Sequence, residues 1–280
     1  MTTVHPSIYH DELLMLDEYT EKVTATFGRQ FEADRARLAG GNRLLSRFAD
    51  AMSAVKTHGR TKFSAADEAH NELCIASALL SGRKTVFNSI AYEPPLTGTN
   101  ETIDFVCKPE AGGTLYVDAK TIHPRLTDRW AHFEEVKRSQ KLPANVNVVL
   151  SENWLGGELW HSMYNARSRM LEHALGFEAK IRAAKLAGPD SRFIMMFGGA
   201  GFHWHEDELE DFAFFYQTGQ HYPGDPFAEM ESWYARHKGI KFDRTINAFG
   251  AMRRHQFDIS HARINWNVVP PSSEDANDVE

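Results

Sequence analysis

The 280-residue chain is predicted to be an α/β protein, because patterns typical of helices and of strands alternate along its middle half. A helical pattern over 65–80 is followed by three short strand patterns. A short helical pattern over 130–141 and a strand pattern over 145–150 come next. They are followed by a long helical pattern over 157–187 and an apolar strand over 191–197. The order helix, three strands, helix, strand (αβββαβ) is the main observation behind the predicted fold class.

The three strands are expected over 85–92, 102–107 and 114–120. The turn between the last two covers 109–113, which contains a proline and two glycines. Successive side chains of a strand point to opposite faces, so Asp118 and Lys120 share one face of the third strand. A hairpin register that places Asp104 beside Asp118 would bring two carboxylates and one ammonium together.

Charged side chains in a half-buried sheet indicate a site, because an unpaired charge there is costly. Two neighbouring carboxylates repel each other, and a divalent cation removes that repulsion. Mg²⁺ suits such a pair, since it takes oxygen ligands and is often held by one or two carboxylates together with substrate phosphate. A lysine on the same face can orient or deprotonate an attacking water. Metal-assisted phosphodiester hydrolysis needs these groups.

At these residues the sequence resembles the PD-(D/E)XK nuclease superfamily, which has the restriction-endonuclease-like fold. The matching residues are Asp104 on one strand and Asp118-Ala119-Lys120 on the next, while Ile103 stands where the motif is named for proline. The resemblance implies an αβββαβ core with a central mixed sheet. It also implies that Asp104 and Asp118 bind metal and act in catalysis. By the same resemblance Ala119 offers a backbone carbonyl to the metal, and Lys120 positions or activates water.

A further acidic residue is expected from the first core helix. In the superfamily a glutamate of this helix often reaches the metal site, and Glu72 is the position that we match to it, as both metal ligand and catalytic residue. Glu68, one turn earlier, remains the competing candidate. The simpler alternative is that both are solvated helix carboxylates, and that Asp118 and Lys120 form an exposed pair on an edge strand.

Four segments are expected along the chain: an N-terminal helical extension (1–58), the αβββαβ core (59–200), a C-terminal α+β accessory segment (201–269) and a disordered acidic tail (270–280). Asn42 and Ser64 are expected to cap the helices that follow them. The glycine run that begins at Gly198 is expected to be a turn. A late β-hairpin is expected within 242–267.

The formal net charge of −7 does not favour nucleic-acid binding, because a basic surface supplies most of that affinity. The objection is partial, since the tail carries four of the acidic charges. Basic residues recur in two groups, which are Arg125, Arg129, Lys137, Arg138 and Lys141, and then Arg167, Arg169, Lys180, Arg182 and Lys185. Each group is either a solvated face, the more common case, or a track for phosphate.

The two cysteines, Cys74 and Cys107, lie in elements expected to be buried, which suits small core thiols in a reducing compartment. No stretch is apolar for long enough to span a bilayer, and the N-terminus has no secretory pattern. A cytoplasmic location without membrane contact is therefore expected.

The chain is expected to be a Mg²⁺-dependent hydrolase, an endonuclease or exonuclease whose substrate is nucleic acid, with DNA as the first candidate and Mn²⁺ as an alternative ion. The choice between DNA and RNA and the formation of a homodimer stay open. One alternative is a restriction-like fold that binds nucleic acid or protein without chemistry. Another is an unrelated α/β protein with a chance Asp-x-Lys sequence.

Overall fold

The structure is a computed structural model that describes residues 10–59, 62–82, 85–122, 166–200, 204, 206–220, 239–253 and 263–268. The short helix and the strand expected over 130–141 and 145–150 lie outside the described residues, as does the acidic tail.

Helices and strands alternate through the described residues. The helices are α1 (His10–Ala33), α2 (Gly41–His58), α3 (Phe63–Ser81), α4 (Ala166–Ala183) and α5 (Glu206–Thr218). The strands are β1 (Leu38–Ala39), β2 (Phe87–Tyr92), β3 (Phe105–Pro109), β4 (Thr114–Thr121), β5 (Ser191–Ala200), β6 (Ala248–Arg253) and β7 (Arg263–Val268). From α3 to β5 the described elements follow the expected order of helix, three strands, helix and strand.

The strands form one mixed sheet in the order β1-β2-β3-β4-β5-β6-β7. The meander β2-β3-β4 and the terminal pair β6-β7 are antiparallel. The pairs β1-β2, β4-β5 and β5-β6 are parallel. The α/β class and the mixed central sheet are therefore confirmed.

Helices cover both faces of the sheet. One apolar cluster joins α1, α2 and α3 to the sheet, and a second cluster joins α4 and α5 to the opposite face. Strand β5 shows the division directly: Met195 and Phe197 belong to the second cluster, whereas Met196 between them belongs to the first. A strand buried on both faces reads as a continuous apolar run, which is why its sequence shows no alternation.

Both flanking segments take part in the sheet. The N-terminal segment was expected to be helical throughout, but β1 lies within it and pairs with β2. The C-terminal segment was expected to be an appendage, but its strands β6 and β7 continue the sheet beyond β5. The hairpin expected within 242–267 is the antiparallel pair β6-β7. Cys74 and Cys107 are free and buried, as predicted.

The two expected helix caps are wrong. Helix α2 starts one residue before Asn42, and its N-cap is Gly40, whose φ of 90° lies in the left-handed region. The chain must turn there directly from β1, and a Cβ at Gly40 would lie 3.2 Å from the carbonyl oxygen of Tyr92. Ser64 lies inside the first turn of α3, whose N-cap Lys62 makes no side-chain capping bond.

The turn expected at Gly198 is also wrong, because β5 continues through Ala200. Gly198 pairs with Thr121 of β4 and with Met252 of β6, so it lies in the interior of the sheet. The side chain of Asn71 from α3 fills the space in front of Gly198 and donates a hydrogen bond to Thr121 Oγ1 at 2.7 Å. Glycine here serves close packing between helix and sheet, since a Cβ would lie 2.2 Å from Asn71 Nδ2.

None of the helices that the structure describes combines the length and the apolar character needed to cross a bilayer.

We expect Gly198→Ala to lower the free energy of unfolding by about 1–3 kcal/mol, because the added methyl group overlaps Asn71. Chemical denaturation measures this. In an Asn71→Ala background the same substitution should cost much less, since the overlapping group is gone.

The matched control is Gly176→Ala in α4, where an added Cβ meets no atom within 4 Å. That variant should be as stable as the native protein or up to about 1 kcal/mol more stable. Equal costs at positions 176 and 198 would contradict the packing explanation.

Candidate active site

The antiparallel pair β3-β4 separates just before β3 begins. The first pair of residues is Phe105 with Val117, so Asp104 would lie opposite Asp118 if pairing continued. Asp104 instead lies in a bend, and its carbonyl accepts a hydrogen bond from the backbone N–H of Glu93 at 2.8 Å. Segment 102–104 and strand β4 therefore diverge at this end of the hairpin, and we call this point of divergence the fork.

The Asp104 side chain fills the fork. Its Oδ2 accepts a hydrogen bond from the backbone N–H of Ala119 at 2.6 Å. The prediction that Asp104 lies within the second strand is therefore wrong, because the strand starts at Phe105. The carboxylate takes up an N–H of β4 that has no ladder partner on this side, and this bond fixes its position.

Lys120 joins the two carboxylates. Its Nζ lies 3.6 Å from Asp104 Oδ2 and 3.0 Å from Asp118 Oδ2. The expected meeting of two carboxylates and one ammonium is thus present in the structure. Asp104 and Asp118 are only 8% and 1% exposed, so water contributes little to compensating their charges.

A second ammonium group, from helix α4, lies near Asp118. Lys180 of α4 has its Nζ 3.5 Å from Asp118 Oδ1. Among the described residues neither oxygen of Asp118 receives a hydrogen bond from a backbone N–H or a hydroxyl group. Two lysines therefore balance the charge of this carboxylate.

Burial and the short distances between these charges shift the pKa values of Asp104 and Lys120. Burial, followed by the charge of Asp118, raises the pKa of Asp104 to about 6. Burial alone would lower the pKa of Lys120, but the charges of Asp118 and Asp104 outweigh it and hold that pKa above its usual value. Lys120 is therefore an ammonium ion near neutral pH, and it cannot accept a proton in this arrangement.

Glu72 of α3 belongs to a neighbouring buried network. Its Oε2 accepts hydrogen bonds from Tyr92 Oη at 2.6 Å and from an Arg47 guanidinium nitrogen at 2.8 Å. Arg47 comes from α2 and also lies 3.1 Å from Glu93 Oε1. Burial, followed by the charge of Asp104, raises the pKa of Glu72 to about 7. Glu72 is not the solvated helix carboxylate of the simpler alternative.

Glu68, the competing candidate, lies one turn before Glu72 and is partly buried. Burial raises its pKa, whereas the charges of Arg47 and Lys120 lower it. Both glutamates line the same cavity.

One cavity of about 600 Å³ is lined by Asp104, both lysines and both glutamates. It lies where the parallel strands β4, β5 and β6 end, with Thr121, Gly198 and Met252 in its wall. Ligands of α/β proteins commonly bind at the carboxyl ends of parallel strands. Helix α3 forms one wall with Glu68 and Glu72, and α4 forms another.

The wall from α4 consists of Arg169, His173 and Lys180. Their spacing of four and seven residues places them on one helix face. Sequence reasoning grouped Arg169 and Lys180 as basic residues but overlooked His173 and Arg47. Burial, followed by the charge of Arg169, lowers the pKa of His173 to about 4. Helical spacing of polar residues was the signal available for His173.

Arg167, of the same basic group, is neither solvated nor in the cavity. It is buried, and its Nε lies 2.5 Å from Asp211 Oδ2 of α5. This ion pair connects the two helices on that side of the sheet.

The carboxylate pair fits a hard cation such as Mg²⁺. Within the described part of the chain no group of three or more His, Cys, Asp or Glu side chains is arranged to hold a metal ion. Mg²⁺ does not require one, because it keeps several waters and often uses only one or two carboxylates with substrate phosphate. Asp104 and Asp118 would supply those oxygens, and Ala119, which follows Asp118 on β4, lies at the cavity wall.

Comparison of the chain with protein-family models gives no match, and comparisons with curated proteins and with solved structures also give none.

We expect the difference in stability between Glu72→Gln and the native protein to depend on pH. The folded-state pKa of Glu72 is raised to about 7, so its effect on stability is most favourable at low pH and is lost as pH rises through 7. Glutamine does not titrate. Between pH 5 and pH 8 without metal, Glu72→Gln should gain about 1–3 kcal/mol relative to the native protein.

Denaturant unfolding at both pH values tests this. Glu32→Gln is the control, because its side chain is 67% exposed on α1, and its difference from the native protein should be the same at both. A pH-independent difference for Glu72→Gln would mean that the buried carboxylate ionises at no cost.

Proposed function

We propose that the protein is a metal-dependent nuclease that hydrolyses phosphodiester bonds of nucleic acid, with DNA as the first candidate substrate. One observation carries the proposal: Asp104 and Asp118 meet on the same Lys120 ammonium at the edge of a cavity. The sheet buries two repelling carboxylates at that point. Such an arrangement is common at functional sites, where charge placement serves chemistry rather than stability.

The order of elements gives further support. The described elements from α3 to β5 follow the αβββαβ order of the restriction-endonuclease-like fold, around a mixed sheet. Asp104 precedes the second of these strands, and Asp118 and Lys120 lie on the third. Since one fold serves many activities, the order supports the proposal less than the side chains do.

Each residue has a role in the proposed reaction. Asp104 and Asp118 hold the cation, with Glu72 or Glu68 completing the acidic set. A bound Mg²⁺ would supply charge neutralisation at the phosphate and a more acidic water. Lys120, held as an ammonium ion, orients the attacking water and stabilises the negative charge that builds on the phosphate. Taking up a proton is a separate role, which Lys120 can fill only after the charges of its two carboxylates have been neutralised.

The overall negative charge does not exclude a polyanionic substrate, because the cavity has its own cations. Arg47, Arg169 and Lys180 line it from two helices on opposite faces of the sheet. Such local positive groups can bind phosphate oxygens even when the chain as a whole is acidic.

The alternative is a module that binds nucleic acid or protein without chemistry. The observation that favours it is the internal pairing of the site: Asp104, Asp118 and Glu72 each contact a cationic side chain of the protein itself. Such pairing neutralises buried carboxylates without any metal. The two functions differ in whether a divalent cation binds and a phosphodiester is cleaved.

We expect Asp118→Asn and Lys120→Met each to lower kcat for DNA cleavage at least about 100-fold, because both remove charge at the reacting phosphate. Plasmid, linear duplex and single-stranded DNA, and RNA, are incubated with Mg²⁺ or Mn²⁺. Circular dichroism checks the fold of each variant.

The matched controls are Asp17→Asn and Lys56→Met, which remove another aspartate–lysine pair, between α1 and α2 and away from the cavity. Both should cleave at the native rate. Native activity in Asp118→Asn and Lys120→Met would exclude the assigned site.

We also expect Mn²⁺ to raise the melting temperature of the native protein at pH 7.5, because a ligand that binds only the folded state stabilises it. At 100 times its Kd the gain is about 2.7 kcal/mol. The shift should be absent in Asp118→Asn and present in Asp17→Asn. No shift in the native protein would favour the binding module.

A further inference from the structure

Lys180 contacts both branches of the fork. Its Nζ lies 3.5 Å from Asp118 Oδ1 and donates a hydrogen bond to the carbonyl oxygen of Thr102 at 3.2 Å. Thr102 lies two residues before Asp104, in the segment that diverges from β4 at the fork. A single side chain from α4 therefore connects the segment that carries Asp104 to the strand that carries Asp118.

The two oxygens of Asp118 have different partners. Lys120, on the same strand, lies 3.0 Å from Oδ2, and Lys180, from the helix layer, lies 3.5 Å from Oδ1. Lys120 also approaches Asp104, whereas the second contact of Lys180 is a backbone carbonyl. The lysines are therefore not equivalent: Lys120 links the carboxylates, and Lys180 fixes the orientation of one of them against the backbone.

An ammonium ion and a divalent cation compete for a carboxylate oxygen, because each neutralises the same charge at close range. A lysine that occupies Asp118 Oδ1 must therefore weaken the binding of a cation to this carboxylate. It also holds the carboxylate in one orientation, and catalysis is sensitive to small displacements of the groups involved.

The geometry points to Lys180 as a positioning residue that competes with the divalent cation for Asp118: it sets the orientation of this carboxylate at the expense of cation affinity. This inference rests on the proposed nuclease function. A residue that only stabilises the fold would have a different signature, because its loss would weaken cation binding and catalysis together.

The test is Mn²⁺ binding by isothermal titration calorimetry at pH 7.5, without substrate, for the full chain. Lys180→Met should bind Mn²⁺ about two- to fivefold more tightly than the native protein, as expected from the loss of one partly exposed ion pair. Lys180→Arg should stay close to the native value, since it keeps the positive charge. Equal or weaker binding by Lys180→Met would overturn the inference.

Catalysis provides a second measurement. At saturating Mn²⁺, Lys180→Met should lower kcat for an oligonucleotide about tenfold, and Lys180→Arg should recover part of that loss. The matched control is Arg182→Met, on the same helix, whose partner is the exposed Asp243. It should change neither Mn²⁺ affinity nor kcat, and an equal effect there would assign the result to α4 as a whole and overturn the inference.

A third measurement needs no metal, and it still tests the inference if Lys180→Met is poorly stable. Removing Lys180 leaves Asp118 with one cation fewer, so Lys180→Met should be less destabilising in an Asp118→Asn background. Thermal unfolding of the two single variants and the double variant measures this coupling. Additive effects would mean that the two side chains do not interact in solution, which overturns the inference.

Failure of the inference and failure of the proposed function give different results. If native protein binds Mn²⁺ and Asp118→Asn does not, the metal site stands, and the behaviour of Lys180→Met alone decides the role of Lys180. If native protein binds no Mn²⁺ and cleaves no nucleic acid, the proposed function fails, and the role of Lys180 fails with it.

Discussion

The repulsion between two buried carboxylates is the constraint around which this protein is built. Asp104 and Asp118 lie where β3 and β4 separate, and water reaches neither to any useful extent. Their charges must be balanced by the protein, and the Lys120 ammonium lies within 3.6 Å of both. An apolar pair at these positions would serve stability as well or better, because burying ions is costly even when they are paired.

The surrounding strands and helices form the cavity and supply the cationic side chains that balance these carboxylates. Three parallel strands end together and form the floor of the cavity, while a helix from each face of the sheet forms a wall. Gly198 allows α3 to approach the sheet closely, which places Glu68 and Glu72 beside the fork. Basic side chains reach the cavity from both helix layers, Arg47 from α2 and Lys180 from α4. The site therefore depends on the packing of three layers rather than on the hairpin alone.

Charge pairing within the site affects both the stability of the cavity and its affinity for a ligand. Asp104, Asp118 and Glu72 each contact a basic side chain already, so a cation would have to exchange with these ion pairs. Pairs of this kind keep a highly charged cavity stable when it holds no ligand, and they lower its affinity when a ligand arrives. The raised pKa values of Asp104 and Glu72 reflect the same burial and repulsion.

The local features of the fold could be predicted from the sequence alone. The strand pattern around Asp118 and Lys120, the apolar face of α3 and the order of elements from α3 to β5 follow from periodicity, which depends only on neighbouring residues. The register of β3 and β4, which would place Asp104 opposite Asp118 if pairing continued, was also predictable, because a short hairpin restricts the pairing. The β6-β7 pair was also expected from the sequence, as a hairpin within 242–267.

The remaining features depend on tertiary contacts. The start of β3 at Phe105, the continuation of β5 through Gly198 and the burial of Arg167 all depend on contacts with residues far away along the chain. Arg47 and Lys180 are surface-type residues whose sequence neighbours do not reveal that they reach one cavity from opposite faces of the sheet. Pairing of buried charges is a long-range interaction, and its partners are known only once the layers have packed.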